Sequence, residues 1–442
     1  MSPVRVSPAL ALGLVLLARA ALAQWTQPQP IFTSAAKVHN PIAVADAAGT
    51  VHVFFVEHET ERQASRLYYL RRDASGWSDP VVVLAPSGRI EFPSAAVDPH
   101  GWLHVVYAGP NVAQLEYRRV HTSRSTDPDA WSRPQLLSES GVFSSHVIAA
   151  PDGTLHLVYA SRSGNVFYTH SDDGGRTWAN AVAVSAVDHD HEAAEGPDIA
   201  VDGRGRLHAV WTQFALPRGW PPVRALYSRS VDRGQTWSPA REMAGLNHGL
   251  ITVATHGPDE VHTAWNGTVQ VGDRDYAWSS DGGMTWSAPE HITTQIRGGW
   301  TGATNPVFDN AGALHLITSV DGPRSIERIF HLSRTGTQWS DPEFASDGTV
   351  ADDSVEFPSV TITGGNHLHV VYEVDYRQIW YTDRTVDAPA SAPAPIPTLG
   401  TDLGSKLADA SPQLRVLLAV LAVIVVALPI EFAWHRVHWR AR

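Results

Sequence analysis

The sequence predicts an all-β chain folded as a seven-bladed β-propeller, and three observations carry that prediction. A hydrophobic-His pair recurs seven times: Val51-His52, Leu103-His104, Leu155-His156, Leu207-His208, Val261-His262, Leu314-His315 and Leu368-His369, at intervals of 52, 52, 52, 54, 53 and 54 residues. A second series, Trp25, Trp77, Trp131, Trp178, Trp237, Trp286 and Trp339, keeps the same beat and also counts to seven. A fixed period of that size marks an array of identical supersecondary units. Third, the two series are out of phase with the chain ends. The last His pair is followed by Ile379-Trp380-Tyr381-Thr382 and then by proline-rich sequence, so its unit lacks a fourth strand, whereas Gln24 to Pro28 carries that strand's Trp pattern. The N-terminal strand is therefore expected to complete the seventh blade and pair two otherwise open sheet edges.

Taken in chain order, residues 1–23 read as a secretory signal peptide of bacterial style. Arg5 precedes an apolar run from Ala9 to Leu17, and Ala21-Leu22-Ala23 forms a small-residue cleavage site. The run is short for a membrane anchor, the alternative reading. Residues 24–386 form the propeller. Each unit reads as four short strands: an apolar one ending in a turn, as at Asp202-Gly203; one carrying the His pair and an aromatic, as in Leu103 to Tyr107; a third, such as Leu226 to Arg229; then a Gly-rich turn and the Trp. Short β-rich runs between Gly/Asp/Asn turns, four to a period, describe a blade. Residues 387–412 are a Pro/Ala-rich spacer of extended character. Residues 413–434 contain an uninterrupted apolar stretch, Val416 to Ile430, of a length that spans a bilayer with its flanks, and 435–442 form a basic tail with Arg436, Arg440 and Arg442. Positive charge marks the cytoplasmic side, which puts the propeller outside, in the periplasm or at the cell surface. A cleavable sorting signal is the alternative for the C-terminus.

Composition excludes several classes. The chain has no cysteine, which removes disulfides, thiolate metal sites and Cys nucleophiles, and its formal net charge of -12 speaks against nucleic acid as a partner. Nothing in the sequence requires a cofactor.

Three Gly-rich turns share one pattern: Ser171-Asp172-Asp173-Gly174-Gly175-Arg176-Thr177-Trp178, Ser230 to Trp237 around Asp232, and Ser279 to Trp286 around Asp281, with degenerate versions at Asp73 to Trp77 and Ser333 to Trp339. A carboxylate at that position can accept backbone N–H groups within the turn while Gly supplies a left-handed residue. The pattern S-x-D-x-G-x-T-W resembles the Asp box of the sialidase-like (BNR-repeat) propellers, over roughly residues 24–386. The resemblance implies that Asp173, Asp232 and Asp281 are structural and sit away from the ligand face. It also implies a carbohydrate or surface ligand. Two departures stand against a direct transfer of activity. Sialidases of the family usually have six blades, and their first inner strand carries Arg-Ile-Pro where this chain has Val38-His39-Asn40-Pro41-Ile42. Their arginine triad and Tyr/Glu nucleophile pair therefore have no counterparts that can be carried over residue by residue.

A residue found in every unit serves the unit, so the seven His of the pairs read as buried, hydrogen-bonded core. Sites belong where the units differ. Loops entering the innermost strands line the channel mouth of a propeller, and two residues before the aligned prolines stand His39, Glu91, Glu195, Thr304 and Glu356, with Asn40 beside His39 and with His146 and His248 in the other units. Glu91, Glu195 and Glu356 can serve as general acid and base, bind a cation or hold sugar hydroxyls, or they can be solvated strand starts. Trp220 with Arg218, and Trp300 with Arg297, lie outside the repeat and suit stacking on a sugar ring with a nearby guanidinium for a carboxylate. His189, His191 and Glu192 lie close together in one polar loop as weak metal-ligand candidates. Two main readings follow: a membrane-anchored propeller that binds a glycan or other surface ligand without turnover, or an exo-glycosidase using carboxylates at the mouth. A protein-assembly scaffold is a third.

Overall fold

A computed structural model describes residues 24–59, 64–85, 88–268, 274–292, 302–321, 327–346 and 355–396. The chain divides into two units, residues 1–395 and 396–442, and every described strand belongs to the first. Those strands form seven separate antiparallel sheets, the seven blades of the propeller. The innermost strands are Lys37–Ala45, Glu91–Val97, Val142–Ala149, Glu192–Val201, His248–His256, Asn305–Phe308 and Val355–Thr363, for blades 1 to 7 in turn. The expected signal segment, the apolar stretch at 413–434 and the basic tail lie outside the described residues, and among those described no helix is long and apolar enough to cross a membrane.

The ring closes as the phase of the repeats requires. Strand Gln29–Thr33 pairs antiparallel with Gln378–Thr385, with Gln29 opposite Tyr381 and Thr33 opposite Gln378, so blade 7 takes its fourth strand from the N-terminus.

The repeated histidine is buried in every blade, and its partners explain the period. Its Nδ1 meets a tyrosine hydroxyl of the third strand: Tyr69, Tyr117, Tyr168, Tyr227, Tyr276 and Tyr381 for His52, His104, His156, His208, His262 and His369. Blade 6 replaces the tyrosine with His331, 2.9 Å from His315. In four blades the other ring nitrogen faces a carboxylate six residues earlier, Asp46, Asp98, Asp202 or Asp309, at 3.2 Å. That carboxylate also accepts N–H groups of its own turn, as Asp46 does from Ala48 and Thr50. A polar group this deep stands only when hydrogen-bonded, and here one side chain satisfies the turn and the imidazole together.

Blades interlock through the tryptophans. Each packs edge-on against the third-strand ring of the preceding blade: Trp77 on Tyr381, Trp131 on Tyr69, Trp178 on Tyr117, Trp237 on Tyr168, Trp286 on Tyr227, Trp339 on Tyr276, and N-terminal Trp25 on His331. The Asp boxes close the same contact. Asp173 accepts N–H bonds from Arg176 and Thr177 at 2.9 Å and the Thr177 hydroxyl at 2.7 Å, Asp281 repeats the arrangement with Met284 and Thr285, and Asp232 accepts the Thr236 N–H and hydroxyl. These donors bring all three carboxyls down to about 2, against partial burial where there is any. Gly175, at φ +78°, lies so close to Tyr117 that a Cβ there would be 1.8 Å from the hydroxyl.

Asp boxes, first-to-second strand turns and histidine relays all lie at one end of the blades, the base. The spacer is packed there too. Ser391 N–H donates to Gly364 in blade 7, Ala394 N–H to Ala47 in blade 1, and Asn310 of blade 6 reaches Pro389.

Candidate functional site

The other end of the blades, the top, is where the units differ. Every inner strand borders the central channel along one edge, where a proline costs no ladder hydrogen bond. The register slips just there, between His39 and Ile42, Glu91 and Ser94, Glu195 and Asp198, and Glu356 and Ser359. The residue before each of these four prolines is left-handed: Asn40 at φ 54°, Phe92 at 50°, Gly196 at 58° and Phe357 at 48°, with Leu250 at 49° in blade 5, which lacks the proline. Three of these are bulky non-glycine residues in a conformation that is costly for them, and strain of this kind gathers at functional sites.

The bulge sorts neighbouring residues into two groups. Asn40, Phe92 and Phe357 turn into the channel and line a cavity of about 580 Å³. Both phenylalanines are 38% exposed. His39, Glu91 and Glu356, one residue earlier, stand instead opposite the ends of the second strands. The serines after the prolines, Ser94 and Ser359, accept N–H bonds from Val147 and Ala43 of other blades, so the Phe-Pro-Ser part of each repeated start is partly structural.

Blades 7, 1 and 2 bring His39, Glu91 and Glu356 into one network. His39 Nδ1 lies 3.7 Å from Glu373, whose other oxygen accepts the Asn40 N–H at 3.2 Å. The His39 ring is 5.2 Å from both His58 and Tyr376. His58 reaches Glu91 at 3.3 Å, Arg89 reaches the same carboxylate at 2.5 Å, and Tyr376 donates to Glu356 at 2.7 Å. Burial pushes the Glu373 carboxyl above the usual carboxylate range, with the Glu356 charge adding to it against the pull of His39. Glu91 goes the other way: burial would raise it, but His58 and Arg89 hold it below its ordinary value.

The remaining candidates are placed elsewhere. Glu195, in blade 4, has its carboxyl raised by burial. His146 lines the channel with its Nδ1 on Asp198; burial opposes its protonation, but Asp198 raises its pKa. His248 faces Asp275 at 3.6 Å in blade 5. Trp220 is 42% exposed, but it belongs to strand Gly219–Ser230 rather than to a loop, because the third strand of blade 4 extends back past it. Arg218 precedes that strand. His191 pairs with Asp188, His189 with Asn165 and Glu192 with Arg224, so separate partners draw the three candidate ligands apart. Arg297 and Trp300 lie outside the described residues.

His58, Glu373 and Tyr376 escaped the sequence reading. All three sit at or just past the ends of second strands, where Glu57-His58-Glu59 and Glu373 to Tyr376 break the small and apolar endings of other blades, such as Ala108-Gly109. That departure from the repeat was the available signal.

Residues 66–253 match the BNR repeat-like domain family. No curated protein matches the chain in sequence. Among solved structures, it is similar to an ulvan lyase, a polysaccharide lyase, with a TM-score of 0.54 and 12% identity over 86% of this chain and 99% of that one. It is also similar to a protein of unknown function from Dyadobacter fermentans, with a TM-score of 0.52 and 13% identity over 83% and 99%. A Hadza microbial sialidase aligns at 17% identity and a TM-score of 0.48, over 79% of this chain and 66% of that one, so the chain spans just under two thirds of that sialidase. At these identities the likenesses speak to fold. Within residues 66–253 the repeats match the BNR repeat-like family, and the described chain folds as a seven-bladed β-propeller.

Proposed function

We propose that the propeller binds a carbohydrate at the top of its channel, over blades 7, 1 and 2, without turning it over. The observation that carries this reading is the pair Phe92 and Phe357, exposed side chains on strained left-handed residues at the rim of the same cavity. An apolar ring held open to water offers a face on which a sugar can stack, and Asn40 between them supplies an amide for hydroxyl groups. The ulvan lyase of like fold acts on a polysaccharide, which is consistent with a glycan ligand. Two further observations support binding over hydrolysis. Glu91 and Glu356 are engaged by His58, Arg89 and Tyr376. The nearby arginines are ion-paired with carboxylates of the protein itself, Arg66 with Glu57 and Arg89 with Glu91.

The test is a glycan array and titration calorimetry on residues 24–395. Phe92→Ala and Phe357→Ala are each expected to weaken the best ligand about 3- to 10-fold, the range for an aromatic contact. Wild-type affinity in both variants would remove the stacking site.

A second reading, exo-glycosidase action, rests on Glu373, whose raised pKa beside His39 suits a proton donor. It requires release of sugar from the array's best ligand and a loss of turnover of about 10²–10⁴-fold in Glu373→Gln.

We further propose that residues 1–23 are removed on export and that 413–434 tether the propeller outside the cytoplasm. Protease added to intact spheroplasts should release a fragment of about 40 kDa. A protected propeller would reverse the orientation.

A further inference from the structure

We propose that His367, His369 and Asp383 form a binding site for a zinc-class divalent metal ion at the base of blade 7, where the ring closes. Their ligating atoms all lie within 4.8 Å of one another, and His369 and Asp383 are buried. The comparison with the other six blades gives the cluster its meaning, since the same positions are occupied differently there. The residue six before the repeated histidine is Asp in blades 1, 2, 4 and 6, Ala150 in blade 3, His256 in blade 5 and Thr363 in blade 7. Opposite the repeated histidine, on the third strand, stand Arg71, Arg119 and Arg229 in blades 1, 2 and 4, His170, Trp278 and Ser333 in blades 3, 5 and 6, and a carboxylate, Asp383, in blade 7. Two residues before it stand Thr50, Trp102, Thr154, Arg206, Glu260 and Ala313, but His367 in blade 7. Blade 7 has thus lost the carboxylate of the relay, regained one across the strand and added a second imidazole. Blades 3 and 5 also depart from the relay, but among the described residues only the blade 7 group brings two imidazoles and a carboxylate within reach of one ion.

The hydrogen bonds show how the site would load. His367 Nε2 is 2.7 Å from Asp383, and His369 Nε2 is 2.8 Å from the Thr363 hydroxyl, while His369 Nδ1 stays 2.7 Å from Tyr381. The Tyr381 contact fixes the ring, as second partners of metal-bound histidines do. An ion would replace the proton shared by His367 and Asp383, releasing it, and would take the Nε2 lone pair of His369 in place of the weaker Thr363 contact. Two imidazoles and one carboxylate suit zinc, cobalt, nickel or copper and not the oxygen-seeking magnesium or calcium. Arg72, 4.0 Å from Asp383, opposes the ion, but its side chain is one-third exposed and can turn to solvent. Asp383 also accepts the Thr26 hydroxyl at 2.5 Å, and its main chain pairs with Thr26. The ion would therefore fasten the N-terminal strand to the blade it completes.

The experiment measures zinc content by elemental analysis and thermal melting of the full chain. Wild type is expected to hold one zinc per chain and to melt several degrees higher in zinc chloride than in chelator, with no rise in magnesium chloride. His367→Gln spares the relay and should bind zinc about tenfold more weakly or worse, lose the zinc-dependent rise, and melt like wild type in chelator. No rise in wild type overturns the proposal. So does an equal rise in His367→Gln, which would assign the zinc to other histidines.

Discussion

Lowering the pH from 7.5 to 5.0 should remove much of the propeller's stability, because burial holds the repeated histidines neutral. Burial brings His156 and His315 down to about 4, with neighbouring His170 and His331 adding to it. It brings His262 and His369 down to about 3, with Arg334 and His367 contributing. A folded pKa below the unfolded 6.5 means that the unfolded chain binds the extra proton. The stability is whole above pH 6.5 and drains as pH falls toward the folded value. At pH 5.0 the gap is about 1.5 units for each of the four, which at 1.36 kcal/mol per unit is about 2 kcal/mol each and about 8 kcal/mol together. Domains of ordinary stability hold about 5–15 kcal/mol, so the loss is a large part of it. The relay carboxylates Asp46, Asp98 and Asp202 are lowered and stay charged across this window, so they do not offset it. His146, Glu195 and Glu373 are raised, so each adds stability as the pH falls from 7.5 and offsets part of the loss.

The assay is urea unfolding of residues 24–395, followed by tryptophan fluorescence at both pH values. The midpoint should collapse on acidification, with about four protons taken up per unfolding event at pH 5.0. Stability at pH 5.0 within about 1 kcal/mol of that at pH 7.5 would show that these histidines titrate normally and that the relay argument is wrong.

Three further outcomes test the frame. Gly175→Ala, which puts a Cβ 1.8 Å from Tyr117, should cost more than about 3 kcal/mol, whereas Gly205→Ala, at the same φ with open space around it, should cost about 1–2 kcal/mol; equal losses by denaturant melts would discard the interlock. Deleting residues 24–34 bares the edge of strand Gln378–Thr385 and should leave no soluble, cooperatively melting propeller; a truncated chain that melts like the parent would show that the closing strand is dispensable. Asp173→Asn should lower the melting temperature and leave glycan affinity unchanged; lost affinity with normal melting would put the binding face on the wrong end of the blades.

The frame was legible because repetition averages away local ambiguity. One Leu-His pair says nothing, but seven at a common interval fix the blade count, and the orphaned Trp pattern at Gln24 to Pro28, just before strand Gln29–Thr33, points to the closure. The Asp boxes were legible because their carboxylates bond within their own turns. What stayed hidden depends on contacts across strands. The tyrosines that receive the histidines lie on another strand, 12 to 19 residues away, and the spacing varies with hairpin length. The prolines marked the inner strand starts, but not the bulges that turn Phe92 and Phe357 into the channel and Glu91 and Glu356 away from it. A one-residue slip exchanges the faces of a strand, so aligning on proline named the neighbours of the exposed pair.

The two ends of the blades answer to different constraints, which limits where function can lie. At the base, Asp box, relay and tryptophan contact recur from blade to blade, and a change in one disturbs the interlock with the next. At the top, equivalent positions hold His39, Glu91, Glu195 and Glu356, and the residues after them are Asn, Phe, Gly and Phe, all kept left-handed by one shared bulge. The bulge is thus a fixed backbone device whose side chain is free to differ. Blade 7 tests the division, since it departs from the repeat at both ends. Its top supplies Glu356, Glu373 and Tyr376 to the network around His39, while its base exchanges the relay carboxylate for His367 and Asp383. The first change adds groups beside an open channel, as a ligand site requires. The second lies buried beside Thr26, where the N-terminal strand joins, and so belongs to closing the ring.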